Sequence, residues 1–165
     1  MPTTHVHVRI AGADDQDPLR AAFPDSPLAS KLLAGDAGKF LVLLARDEHN
    51  TVVGALAVDL GGKTTRPDEP DIFRIELADH AGPEGGPVWK ALHEKTIETL
   101  AEMEHKGVGV CVGATDAEGV KRYESLGFRP DPSGGPYKPL GPGMVEYLQG
   151  YADPVGYVID MRRDL

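Results

Sequence analysis

Apolar and polar positions alternate over residues 5–10, with Val6, Val8 and Ile10 on one side and His5, His7 and Arg9 on the other. That two-residue period predicts a half-buried strand. Residues 14–38 carry helical patches around 19–23 and 28–33, broken by Pro and Asp-Ser punctuation that suits helix starts, and read as two short helices. Continuous apolar runs over 40–46 and 52–60 flank Glu48, His49 and Asn50, which predicts a hairpin of buried strands ended by Gly61 and Gly62. A polar loop over 63–70 leads to a strand over 72–78 and then to a Gly-Pro-rich turn. The strongest helical signal spans 87–106. Val88, Trp89, Leu92, Thr96, Leu100 and Met103 share one stripe, and Gly107 supplies the stop.

A short buried strand follows over 108–112, and Asp116 is placed to cap a helix that runs through Leu126 and closes at Gly127. Strand, glycine turn, helix, strand and helix in succession imply a right-handed crossover between parallel strands. Residues 130–154 read as irregular with a helical turn over 144–151, before a last strand over 156–162; no internal repeat is visible.

Composition narrows the picture. A chain of 165 residues fits one domain over 1–165, and 41% hydrophobic with 26% charged residues is an ordinary globular balance. Cys111 is the only cysteine, so no internal disulfide and no zinc site built on paired thiolates can form. With no apolar leader and no long apolar run, a cytoplasmic protein without a membrane span is expected. The net charge of −9 argues against nucleic acid and anionic lipid as partners and mildly favours small cationic substrates such as amines.

Two stretches carry a resemblance to a known family. Asp116-Ala117-Glu118-Gly119-Val120-Lys121-Arg122-Tyr123-Glu124-Ser125-Leu126-Gly127-Phe128 is similar to the stretch N-x-x-A-x-x-x-Y-x-x-x-G-F of the GNAT superfamily of N-acetyltransferases, with Asp116 in the Asn position and Gly119 in the Ala position. Ile75 to His80, leading into Gly82-Pro83-Glu84-Gly85-Gly86-Pro87-Val88-Trp89, resembles that family's strand, turn and helix start. Together these cover about a quarter of the chain; elsewhere the agreement is in element order. The resemblance implies an α/β fold with a mixed, mostly antiparallel central sheet flanked by helices. It implies transfer of an acetyl or other acyl group from acyl-CoA to a small-molecule amine, by a protein that is often a homodimer. The site residues it implies are Tyr123 steadying the departing thiolate and Glu76 as base. Backbone groups near Leu77 and Asp79 are expected on the pantetheine arm, and Gly82, Gly85, Gly86 and Val88 around the pyrophosphate, with Asp116 beside the cofactor. No metal is implied.

The turn departs from the family's R/Q-x-x-G-x-G/A, whose amides at a helix N-terminus take the pyrophosphate. Those positions are here Glu84, Pro87 and Trp89: an acid for a cation or amide, an imino acid without a donor, and a bulky indole. A GNAT-like protein that does not use acyl-CoA, acting as a binding partner or as an enzyme of other chemistry in the same cleft, therefore stands as the alternative. Tyr123 also reads as a packed tyrosine and Glu76 as an exposed strand residue. Cys111, inside an apolar strand, reads as a buried inert thiol; His5 and His7 share a face without a third metal ligand. Glu94, Glu98 and Glu102 form the solvated side of the long helix. Asp79-His80 lacks a nucleophile turn to serve. The 130–154 segment with Tyr137, Tyr147 and Tyr151 is either a lid over the acceptor or disordered.

Overall fold

Each of the apolar runs pairs with its neighbour in the computed structural model, which describes residues 5–29, 39–61, 69–82, 84–131, 136–141, 144–149 and 153–165. Strands β1 (His7–Ile10), β2 (Phe40–Arg46), β3 (Val52–Asp59) and β4 (Asp71–Leu77) follow one another antiparallel. Then β5 (Gly107–Gly113) lies parallel to β4, and β9 (Val158–Asp164) antiparallel to β5. The short β6 (Arg129–Pro130) pairs with β9, and the hairpin of β7 (Tyr137–Gly141) and β8 (Met144–Tyr147) joins the same edge at Tyr137 and Val158. The result is a mixed, mostly antiparallel sheet with helices on both faces. No described helix is long and apolar enough to cross a membrane.

The two faces have separate cores. Over one lies helix α1 (Gln16–Ala22) with the residues after it, and Leu19, Leu28 and Ala29 bury Val42, Leu44, Ala55 and Ala57. Asp15 fixes that helix against the first strands: it accepts from Arg9 at 2.6 and 2.9 Å, from Arg46 at 3.1 Å and from the Gly12 amide at 2.8 Å. Burial alone would raise its carboxyl pKa, but these donors hold it below the ordinary value. The second expected helix is described only as far as Ala29; residues 30–33 lie outside the described residues.

Helices α2 (Pro87–Glu102) and α3 (Ala117–Ser125) cover the opposite face, where Val88, Trp89, Leu92, Leu100 and Tyr123 meet Leu41, Leu43, Leu56, Val58, Val108 and Val110. Close approach at the start of α2 depends on Gly54, since a Cβ there would lie 2.9 Å from Val88 Cγ1 and 3.0 Å from Leu92 Cδ1. The helix ends earlier than Gly107 implied. Glu104 enters the left-handed region at φ 67°, and its N–H and that of His105 turn back to Ala101 and Leu100. This is a Schellman ending with Glu in the place Gly usually takes. Met103 therefore leaves the stripe and is 45% exposed.

One further expectation is corrected. Residues 144–147 form a strand rather than part of a helical turn, because the 137–141 strand offers a partner and the Tyr137 and Tyr147 rings meet across the pair at 6.3 Å. Tyr151 lies outside the described residues.

Candidate functional site

The β4–β5 ladder stops almost as soon as it starts. Asp71 pairs with Gly109 and Ile72 with Val110, the Gly109 amide donates to Pro70 O at 2.9 Å, and no ladder pair follows along either strand. Beyond Ile72 the two strands part. The Ala78 amide donates to Val53 O on β3 at 2.9 Å, so by alternation the backbone groups of Leu77 and Ile75 face the opening on the β5 side. Their side chains pack on the α2 face.

At the mouth of this opening the chain turns into α2. Asp79, His80 and Ala81 make one short 3-10 turn, Gly82 and Gly85 sit at φ 90° and 86°, and Gly86 is the residue before the helix, with Pro87 in its first position. No side chain caps this helix start among the described residues, so the amides of its first turn are left to solvent or to an anion. Glu84 has a partner of its own: Arg122 Nη2 on α3 donates to Glu84 Oε2 at 3.0 Å. The Arg122 side chain lies against Gly85, where a Cβ would come 2.7 Å from its Cδ, and its Nε is buried with no hydrogen-bond partner among the described residues. Gly85, Trp89, Lys90, Arg122 and Leu126 line a cavity of about 320 Å³ between the loop and α3. Glu84 stands where the resembling turn carries a cation or amide, and its carboxylate is paired with a guanidinium from another helix.

Tyr123 is buried between α2 and α3. Its hydroxyl lies 3.0 Å from His93 Nε2, and its ring meets Trp89, His93 and Phe128 at 5.2 to 5.3 Å between centroids. His93 Nδ1 is 2.7 Å from Trp89 O. A carbonyl only accepts, so Nδ1 carries the proton, Nε2 accepts, and the Tyr123 O–H is the donor to it. Burial lowers the His93 pKa to about 4, keeping the ring neutral. Burial likewise pushes the Tyr123 phenol well above its ordinary value. The Trp89 indole is 4% exposed and stacks on His93, so it is spent in the core rather than standing in the loop. His93 lies beside the stripe of Val88, Trp89, Leu92, Thr96, Leu100 and Met103, which does not by itself mark an imidazole as buried. Its place four residues after Trp89 was the available signal.

Asp116 Oδ1 accepts the Gly119 amide at 2.9 Å and caps α3. Gly119 and Asp116 belong together: a Cβ on residue 119 would lie 2.8 Å from Asp116 Cγ and 3.1 Å from Val112 Cγ1.

No family model matches the chain, and no curated protein matches it in sequence. Solved structures do. The ribosomal-protein-S18-alanine N-acetyltransferase of Escherichia coli superposes with a TM-score of 0.66 at 16% identity, over 97% of this chain and 94% of that one. An IAA acetyltransferase from Bacillus cereus gives 0.62 at 17%, over 98% and 100%. A spermidine/spermine N-acetyltransferase from Vibrio cholerae gives 0.65 at 12%, over 96% and 92%. The chain has the GNAT fold.

Within the GNAT fold, the sheet face opposite α2 carries the remaining polar groups. A bulge at Phe73 breaks the alternation of β4, since Ala57 pairs with Arg74 and Val58 with Ile72. Phe73 and Arg74 consequently share the face that Glu76 occupies; Phe73 meets the Phe40 ring at 5.4 Å. Arg74 Nε donates to Glu76 Oε1 at 2.5 Å, and both line a cavity of about 260 Å³ under Ala22, Phe23, Pro24, Asp25 and Ser26. A wider groove of about 550 Å³ adjoins it past Ala22 and Phe23, reaching Leu77, Asp79 and His80. Cys111 is exposed, correcting the expectation of a buried thiol: Val108, Val110 and Val112 take the core side of β5, so Cys111 faces the other way. Its Sγ lies 3.2 Å from both Tyr137 Oη and Asp160 Oδ1, and the Tyr137 hydroxyl donates to Asp160 at 2.6 Å. His5 and His7 are exposed, and no cluster with metal-ligand geometry occurs among the described residues.

Proposed function

We propose that this GNAT-fold chain is an N-acyltransferase that moves an acetyl or other acyl group from acyl-CoA to the amine of a small molecule. The observation that carries the reading is the early end of the β4–β5 ladder, which leaves strand backbone turned to an opening beside the uncapped start of α2. An extended amide-bearing arm completes such an edge as an added strand does, with Leu77 supplying the pairing groups. The diphosphate lies at Gly82, Gly85, Gly86 and Val88, with Arg122 as the cation.

In the reaction the amine nitrogen attacks the thioester carbonyl, the C–S bond breaks, and the amine proton passes to Glu76 directly or through one water. The sulfur leaves as a thiolate. Tyr123 keeps its own proton, because its phenol is raised well above the ordinary value, so it acts as a hydrogen-bond donor to the developing charge. To do so its O–H turns away from His93 Nε2, which costs about 1 kcal/mol, the net worth of a neutral hydrogen bond. Acetyl-CoA and a panel of amines, with free thiol followed by a chromogenic disulfide, test the reading. Saturable coenzyme A binding and amine-dependent thiol release are expected; absence of binding by calorimetry excludes acyl-CoA as the co-substrate.

A second reading, the same fold without acyl-CoA, draws on one observation: Glu84 already holds Arg122 and so fills the anion place with the chain's own carboxylate. The same titration separates the two.

A further inference from the structure

We propose that the acceptor site takes a zwitterionic amine, a small molecule with a carboxylate or comparable anion a few bonds from its ammonium, and that Arg74 receives the anion. The proposal rests on the acyl-transfer reading for where the acceptor amine lies, and it goes beyond that reading in naming the acceptor's class.

The argument begins with the bulge. A regular β4 would put Arg74 and Glu76 on a common face and Phe73 on the other; the extra residue turns Phe73 to that face too and ends the pairing with β5 just before it. Glu76 is the one carboxylate within ion-pair distance of Arg74 among the described residues, and Arg74 spends only its Nε on it. The two terminal nitrogens of the guanidinium remain as donors for a planar anion. Asp25, on the opposite wall of the same 260 Å³ cavity, has no ion-pair partner among the described residues.

A carboxylate already on a guanidinium is a poor receptor for a bare amine. The incoming ammonium meets the charge of Arg74 at contact range, and Glu76 is divided between two cations. An acceptor that brings its own anion exchanges partners instead: its carboxylate takes the Arg74 fork, and its ammonium takes Glu76 with Asp25 on the far wall. Glu76 is thereby released from Arg74 at the moment the amine needs a proton acceptor. The spacing suits a compact molecule, because two side chains two residues apart on a strand are rooted about 7 Å from each other. The cavity is also below the roughly 300 to 1,000 Å³ of pockets that take drug-sized ligands.

Calorimetric titration of the full chain with matched pairs tests this: leucine against isoamylamine, phenylalanine against phenethylamine, and lysine against cadaverine, with spermidine as a cation without an anion. At least one amino acid is expected to bind roughly tenfold or more tighter than its decarboxylated partner, the worth of one charge-assisted contact. In Arg74→Gln that ratio falls to about one, and Arg74→Lys recovers part of it. Coenzyme A affinity, measured on the same preparations, is the control for folding and for the transferase reading. If the decarboxylated amines bind as well as the amino acids, or Arg74→Gln weakens both equally, or neither class binds, the proposal is overturned whatever coenzyme A does. Failure of coenzyme A to bind while the amino-acid preference holds overturns the transferase reading and leaves Arg74 as the anion receptor.

Discussion

The proton between Tyr123 and His93 has one direction, and that direction has an energetic consequence. Tyr123→Phe removes the donor and leaves a fully buried imidazole nitrogen unsatisfied, at a cost of about 1 to 3 kcal/mol. His93→Leu strands the Tyr123 hydroxyl, while the Trp89 carbonyl keeps the backbone N–H of residue 93 as its helical donor. The double variant puts apolar groups on both sides, so its destabilisation is expected to be at least about 1 kcal/mol less than the sum of the single ones. Urea unfolding of the four proteins measures it, and strict additivity rules the hydrogen bond out as a stabilising link. The same cycle guards the kinetic test of Tyr123: loss of turnover in Tyr123→Phe counts as loss of a donor to sulfur only if His93→Leu, equally destabilised, keeps its turnover. At this scale the sequence was half legible. The resemblance of residues 116–128 to the family's stretch picked out Tyr123, but nothing local told that its hydroxyl would face a histidine thirty residues earlier.

Elements show where local pattern suffices and where pairing decides. The hairpin of β2 and β3, the strand β4 and the cap of α3 lie where periodicity and turn residues place them, because their signals are local. The strand β8 differs from the helical turn its own pattern implies because its partner makes it a strand. The candidate site was legible as a loop but not as a charge distribution: Glu84, Pro87 and Trp89 looked unfavourable, whereas Arg122 arrives from α3 and the indole retreats into the core. Glu84 is 67% exposed, so its pair with Arg122 is worth at most about 1 kcal/mol. Glu84→Gln is therefore expected to tighten coenzyme A binding by only about two- to fivefold, read by calorimetry; a weakened affinity contradicts the view of Glu84 as a competitor. Gly54→Ala acts from the other side of the same element. Its Cβ meets the stiff Val88 side chain at 2.9 Å, so the start of α2 must lift from β3. Destabilisation of about 1 to 3 kcal/mol is expected, with weaker coenzyme A binding, and an unchanged midpoint in thermal unfolding would show that the helix start yields freely.

For the molecule as a whole, the buried imidazole ties stability to pH. His93 stays neutral in the folded chain until the pH nears 4, while the same group in the unfolded chain takes a proton below about 6.5. Between those values the unfolded state binds more protons, so acidification favours unfolding and raising the pH through the window restores stability. The carboxyl of Asp15, held below its ordinary value of 3.8, acts in the same sense but only at lower pH, as it becomes protonated. The window from 6.5 to 4 therefore isolates the histidine from that carboxyl. About 2 kcal/mol of stability is expected to disappear between pH 7.5 and pH 5 on account of His93. Denaturant unfolding at the two values, repeated on His93→Gln, checks it: the variant starts less stable but loses less on acidification. An equal loss in both proteins would place the acid sensitivity elsewhere and contradict a neutral, buried His93 as the link between the two helices on this face.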